Sequence, residues 1–273
     1  AAPMSSLTNM LNESKVIVAL DQYMPVQVRD GVELVRIYVS NSDLPSSITE
    51  VLLAPPVEPP NATTTAQPAI ALALDSVVKV EGTAIECNTR LTGSGFVVGQ
   101  DLIITNAHVV AGITNPTVRI KGKGKSFEGS VIYFDPADDV ALIRTSGIPS
   151  VALRISEPLS RSDDAVVAGF PGGGPLALIP ARVRSVSETL GTDIYGKSPV
   201  TREIYALSAD IKQGDSGAPM LALDGSVAGL IFAASAIDDQ VGYALSANEF
   251  MVAVNSVYSD MPAVSTGDCA GVR

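Results

Sequence analysis

The sequence predicts an all-β protein built in two halves and followed by a terminal helix. Three observations carry that reading. Short runs of β-branched and aliphatic residues recur between residues 76 and 244. Gly, Asp and Pro punctuate them at the spacing of a small closed or sandwiched sheet. The series is broken once, across residues 144–162, where Gly147, Pro149 and Pro158 fall. A composition of 46% hydrophobic and 17% charged residues, with 23 glycines and 18 prolines, supplies the turns such a fold needs. A chain of 273 residues is long enough for one large β domain or two smaller units.

Residues 1–54 read as an N-terminal extension of mixed character. Helical texture shows at 5–11 and 19–24, while Val32, Leu34, Ile37 and Val39 fit strand and helix equally. Residues 55–75 begin PPVEPPNATTTAQPA, lack an apolar period and predict an extended linker. The first half, 76–150, offers strands at 76–81 (SVVKVE), 95–98, 102–105 (LIIT), 118–120, 131–133 and 140–143. Between the fourth and fifth of these, KGKGKSFEG at 121–129 predicts a hairpin and lacks the spacing of a phosphate loop. The second half, 151–273, offers strands at 164–170, 181–186, 204–207, 220–222, 227–233 and 242–244, then a helix at 248–256. Phe250, Met251, Val254 and Val257 would turn inward from that helix and its end.

A net charge of -11, with no basic cluster beyond Lys121, Lys123 and Lys125, argues against nucleic acid or anionic membrane as partners. No apolar run reaches 18 residues. Because the chain starts at Ala1, it is expected to be a piece of a longer protein, with any membrane contact made through an upstream segment. Cys87 and Cys269 are its only cysteines, and one histidine beside them poorly supplies a metal, so no metal or other cofactor is expected. The two sulfurs are either unrelated thiols or a disulfide, and the disulfide is the prediction. It would pin the C-terminal tail to the start of the barrel region, stabilise by roughly 2 to 5 kcal/mol and require an oxidising compartment.

The chemistry gathers at three motifs. His108, the single histidine, lies in TNAHVV directly after LIIT. Asp139 lies in DPADDVALI, where a carboxylate can accept the Nδ1 proton of a histidine and fix its tautomer; Asp135 and Asp138 read as turn residues. Ser216 lies in GDSGAP. A serine hydroxyl is a weak nucleophile at neutral pH and needs a base, which His108 can supply. Gly214 can turn its N–H beside that of Ser216, pairing two donors for the oxyanion of an attacked carbonyl.

With these motifs the chain resembles the trypsin/chymotrypsin-like serine proteases, and among them the bacterial envelope branch akin to the HtrA/Deg enzymes. TNAHVV, DDVALI and QGDSGAP match the family's histidine, aspartate and nucleophile motifs in order, supported by GSGFVV, GFPGG and GYAL. The matching region is about residues 76–257. Over its whole length the chain is similar to the membrane-anchored periplasmic proteases of mycobacteria and related actinobacteria associated with acid resistance. The resemblance implies two six-stranded antiparallel β-barrels, a serine endopeptidase acting on protein or peptide substrates, an envelope location and membrane anchoring upstream. It places Asp210 near the base of the first specificity pocket, Gly242 where it keeps that pocket open, and Ile231, Phe232, Ala233 and Ala234 beside the substrate backbone. The short tail after residue 257 leaves no room for a PDZ domain, so a monomer is expected. A silent relative with this fold, acting by binding, is the rival reading, but all three motif residues are present. Small-ester hydrolysis would use the same groups; the G-x-S-x-G elbow of α/β-hydrolases is not matched.

Overall fold

The computed structural model describes residues 57–235 and 238–270, with three two-residue strands, β1 (Glu33–Leu34), β2 (Ile37–Tyr38) and β3 (Val51–Leu52). The helical candidates at 5–11 and 19–24 lie outside the described residues.

The first half contains β4 (Val77–Ala84), β5 (Thr89–Gly99), β6 (Leu102–Thr105), β7 (Thr117–Ile120), β8 (Phe127–Glu128), β9 (Ser130–Asp135) and β10 (Val140–Arg144). Their order across the sheet is β8-β7-β4-β5-β6-β10-β9. Gly129 alone separates β8 from β9, so one bent strand pairs with β7 at one end and β10 at the other, closing a six-stranded barrel. Glycine is needed at that bend, since a Cβ there would lie 2.4 Å from Ile143 Cγ2. The hairpin expected at 121–129 joins β7 to β8, with Thr117 opposite Glu128.

The second half contains β11 (Asp164–Gly169), β12 (Ala177–Thr192), β13 (Pro199–Ser208), β14 (Pro219–Leu221), β15 (Val227–Ser235) and β16 (Val241–Ser246). Because β14 pairs with both β11 and β15, these six strands also close on themselves. All the pairings are antiparallel, so both expected barrels are present. Outside the ring, β2 pairs with the end of β15, placing Tyr38 opposite Ala234 and Ile37 opposite Ser235.

Alternation along the strands builds three cores. In β10, Ala141 and Ile143 point into the first barrel with Val80, Val97 and Ile103, whereas Val140 and Leu142 point out of it. In β11, Ala165 and Val167 fill the second barrel with Val183, Leu207 and Ile231, and Val166 and Ala168 face outward. The outward residues of both barrels meet in a shared core with Phe96, Phe170, Phe232 and Tyr243. The terminal helix, Ala247–Asn255, drives Phe250 into this shared core, where its ring meets Phe96 edge-on at 6.2 Å.

The stretch read as an extended linker is helical for much of its length. A 3-10 turn at Ala62–Ala66 is capped by Asn61, whose side chain accepts from the Thr63 N–H, and α1 (Pro68–Ala73) follows with Pro68 in its first turn. Ile70 is fully buried in the shared core, and a Cβ on Gly225 would meet the Ala69 carbonyl at 2.7 Å. Six residues show no helical period, and it is tertiary burial of Ile70 that holds the segment in place. The hairpin of β12 and β13 also runs further than its apolar stretches indicate, because its outer part is a polar ribbon.

Candidate active site

His108 sits on α2 (Ala107–Val110), the single turn that follows β6. Its Nδ1 lies 2.8 and 3.0 Å from the two carboxylate oxygens of Asp139, and its backbone N–H donates to Asp139 Oδ1 at 3.0 Å. Asp139 is in the left-handed region, with φ of 56°, immediately before β10. Asn106 Nδ2 donates to its carbonyl at 2.9 Å and holds the two loops together. Asp135 shapes the preceding turn by accepting from the Ala137 and Asp138 N–H groups. His108 Nε2 is buried and makes no hydrogen bond, so it is free to face a reacting group.

Ser216 lies in the loop between β13 and β14, which is braced from the first barrel. Ser94 of β5 does most of this. Its hydroxyl donates to the Gly214 carbonyl at 2.7 Å and accepts from the Phe170 N–H, while its own N–H donates to the Ser216 carbonyl at 2.8 Å. Gly214 has φ of 96°, and a Cβ there would lie 2.3 Å from the Phe170 carbonyl oxygen. The Gly214 and Ser216 N–H groups donate to nothing among the described residues. Ser94 stood in the GSGFVV motif, but its bracing role was legible only once the barrels were assembled.

Asp215 is wholly buried, with Oδ2 accepting from the Lys212 N–H and Oδ1 unpartnered. Burial pushes its carboxyl up to about 7, against the pull of that N–H and of the Lys212 charge. His108, Gly214 and Ser216 share a cleft of about 230 Å³ with Arg90, Thr92, Gln213, Gly172, Gly173 and Ala270.

The residues read as a specificity pocket are placed differently. Asp210 is partly exposed and bonds Lys212 Nζ at 2.7 Å, so its carboxylate stays solvated and paired instead of lining a buried pocket. The space above Gly242 is filled by Ile211, whose Cγ1 would lie 2.3 Å from a Cβ at that glycine. Ile231 is fully buried and its peptide groups are engaged by Gly217 and Ala218, so it cannot pair with a substrate strand. Phe232 and Ala233 are buried as well, and Ala234 stands at the partly exposed end of β15.

Cys87 and Cys269 are bonded to each other, with Cα atoms 6.5 Å apart. The tail they anchor runs along the first barrel, where the Val264 N–H donates to the Val131 carbonyl and the Thr266 hydroxyl to the Ile113 carbonyl, and brings Ala270 to the rim of the cleft.

Comparison with known proteins agrees with this fold. Residues 93–230 match the model of the trypsin-like peptidase domain. The chain belongs to the trypsin-like peptidase family. Among curated relatives, the serine protease Rv3671c of Mycobacterium tuberculosis is 36% identical over 260 residues, covering 94% of this chain. The chain spans 65% of that relative's length. The crystal structure of the Rv3671c protease in its active form superposes with a TM-score of 0.76 at 40% identity, covering 79% of this chain and 94% of that one. An inactive form of a serine-to-alanine mutant of the same protein superposes with a TM-score of 0.67 at 38% identity, covering 77% of this chain and 99% of that one. A serine-to-alanine variant of the HtrA-type protease AlgW shares the fold at 18% identity, with a TM-score of 0.63 over 71% of this chain and 64% of that one.

Proposed function

We propose that this chain is a serine endopeptidase with Ser216 as nucleophile, His108 as general base and Asp139 as the group that orients the histidine. The observation that carries the reading is the buried His108–Asp139 pair, which leaves Nε2 unpartnered in the cleft that also holds Ser216. With its Nδ1 proton held by the carboxylate, the imidazole presents a lone pair at Nε2. Nε2 takes the proton of Ser216 as Oγ bonds to the carbonyl carbon of a peptide, and the carbonyl oxygen becomes an oxyanion. The Gly214 and Ser216 N–H groups receive that charge. Nε2 then gives its proton to the departing amine, the C–N bond breaks, and an acyl-enzyme remains. Water, deprotonated by the same nitrogen, releases the second product and restores Ser216.

Protein or peptide segments are the substrates this reading calls for, and an extended chain can add beside Ala234 only where β2 leaves the end of β15. An oxidising envelope compartment fits the disulfide, and membrane attachment through residues upstream and a monomeric peptidase unit belong to the same reading. No helix among the described residues is long and apolar enough to cross a membrane. Incubation with a diverse peptide library, followed by sequencing of the products, tests the function. Cleavage that disappears in Ser216→Ala and His108→Ala supports it, and cleavage that persists in both defeats it.

A further inference from the structure

Arg202 is a buried cation from the second barrel that reaches into the first. It stands in the outer part of β13, opposite Thr189, and is 5% exposed. Its Nε donates to the Ala137 carbonyl at 2.9 Å, its Nη2 bonds the same oxygen, and Nη2 also donates to the Thr192 carbonyl at 3.0 Å. The guanidinium lies over Phe232, with Cζ 6.0 Å from the ring centre. Ala137 belongs to the turn that ends in Asp139, and a second tie between the barrels, from the Ile194 N–H to the Pro136 carbonyl at 3.0 Å, holds the same turn.

We propose that Arg202 is a positioning residue for peptide hydrolysis, fixing from the second barrel the turn that presents Asp139 to His108 and placing a buried positive charge behind that carboxylate. The inference rests on the reading of Asp139 as the orienting residue. A surface role would not call for burying a guanidinium, and its fork spends two donors on one carbonyl two residues before Asp139. Asp139, because of its left-handed backbone, depends on the turn before it for the direction of its side chain. The groups that act on Arg202 electrostatically are Asp139, Asp138 and Asp135 from that turn and Glu249 from the terminal helix. Of these acids, Asp139 acts on the cation most strongly.

The test compares Arg202→Gln, Arg202→Lys and Asp139→Asn for kcat, KM and the pH dependence of kcat/KM, with near-ultraviolet circular dichroism to establish the fold. Displacing a catalytic group by about 1 Å can cost roughly 10²-fold in rate. Arg202→Gln is therefore expected to lower kcat by about 10- to 100-fold with KM nearly unchanged. Its acid limb should also move to higher pH, because the imidazolium no longer has a cation behind its carboxylate. Arg202→Lys keeps the charge and loses the fork, so kcat falls while the acid limb stays in place. If Arg202→Gln does not fold, Arg202→Lys decides, and wild-type kcat from it overturns the proposal. So does a folded Arg202→Gln with unchanged kcat and pH profile. Retained activity in Asp139→Asn would instead defeat the triad reading on which the inference stands.

Discussion

Asp139 holds His108 at two points, through the Nδ1 ring nitrogen at 2.8 Å and through the backbone N–H at 3.0 Å. The side chain and the chain carrying it are thus tied to one carboxylate. Replacing Asp139 with Asn leaves an acceptor for the backbone N–H but lets the amide favour the wrong imidazole tautomer. A loss in kcat on the order of 10⁴ is expected with little change in melting temperature, the size of effect known for this exchange in serine proteases. Steady-state kinetics and a melt on the same preparation check it.

Asp215 links pH to stability. Its folded-state carboxyl titrates near 7, well above the ordinary value of 3.8, so the folded protein binds a proton more tightly than the unfolded chain does. The stabilisation from that proton is full below about pH 4 and is lost as pH rises through about 7, a change on the order of a few kcal/mol. Asp215→Asn removes this contribution to the pH dependence. Denaturant melts at pH 5 and pH 8 should therefore show the variant gaining on the wild type at the higher pH. Equal gains at both values would show that the buried carboxyl does not titrate in that window.

Ser94 connects the first barrel to the nucleophile loop through the carbonyl of Gly214. Ser94→Ala strips the donor from that carbonyl and the acceptor from the Phe170 N–H, leaving two buried backbone groups short of a partner. A destabilisation of about 1 to 3 kcal/mol is expected. Loosening of the oxyanion donors should lower kcat more than it raises KM. Chemical denaturation and initial-rate kinetics on the variant test both parts.

The Cys87–Cys269 bond joins positions 182 residues apart and carries the tail across the first barrel to the cleft. Cys87→Ser should lose roughly 2 to 5 kcal/mol and weaken hydrolysis without abolishing the fold. Non-reducing peptide mapping of the wild type, then matched melts and rate measurements on the variant, decide between a functional staple and a passive tether. Unchanged melting and activity would point to the tether.

What was legible in the sequence follows from where each signal resides. His108, Asp139 and Ser216 sit in short motifs whose local chemistry is self-contained, and β6 and β10 announce themselves as LIIT and VALI because both faces of each strand are buried, one in the barrel and one in the shared core. The α1 helix was missed because six residues around Ile70 carry no period and owe their conformation to the surface they pack on. Polar β-ribbon at the end of β12 escaped for the opposite reason, having backbone pairing but no apolar face. Asp210 and Gly242 were assigned by family correspondence, and side chains decide such positions: Lys212 draws the carboxylate outward and Ile211 fills the space over the glycine. Arg202 carries no motif at all, and only the approach of the two barrels reveals what it grips.

In the proposed reaction Ser216 is the nucleophile and His108 activates it. Treatment with a serine-directed sulfonyl fluoride or organophosphorus reagent, followed by intact-mass analysis and peptide mapping, tests it most directly. One covalent adduct on Ser216, strongly slowed in His108→Ala and absent in Ser216→Ala, is the predicted result; folded wild-type protein that stays unmodified, or that carries the adduct on another residue, would contradict it.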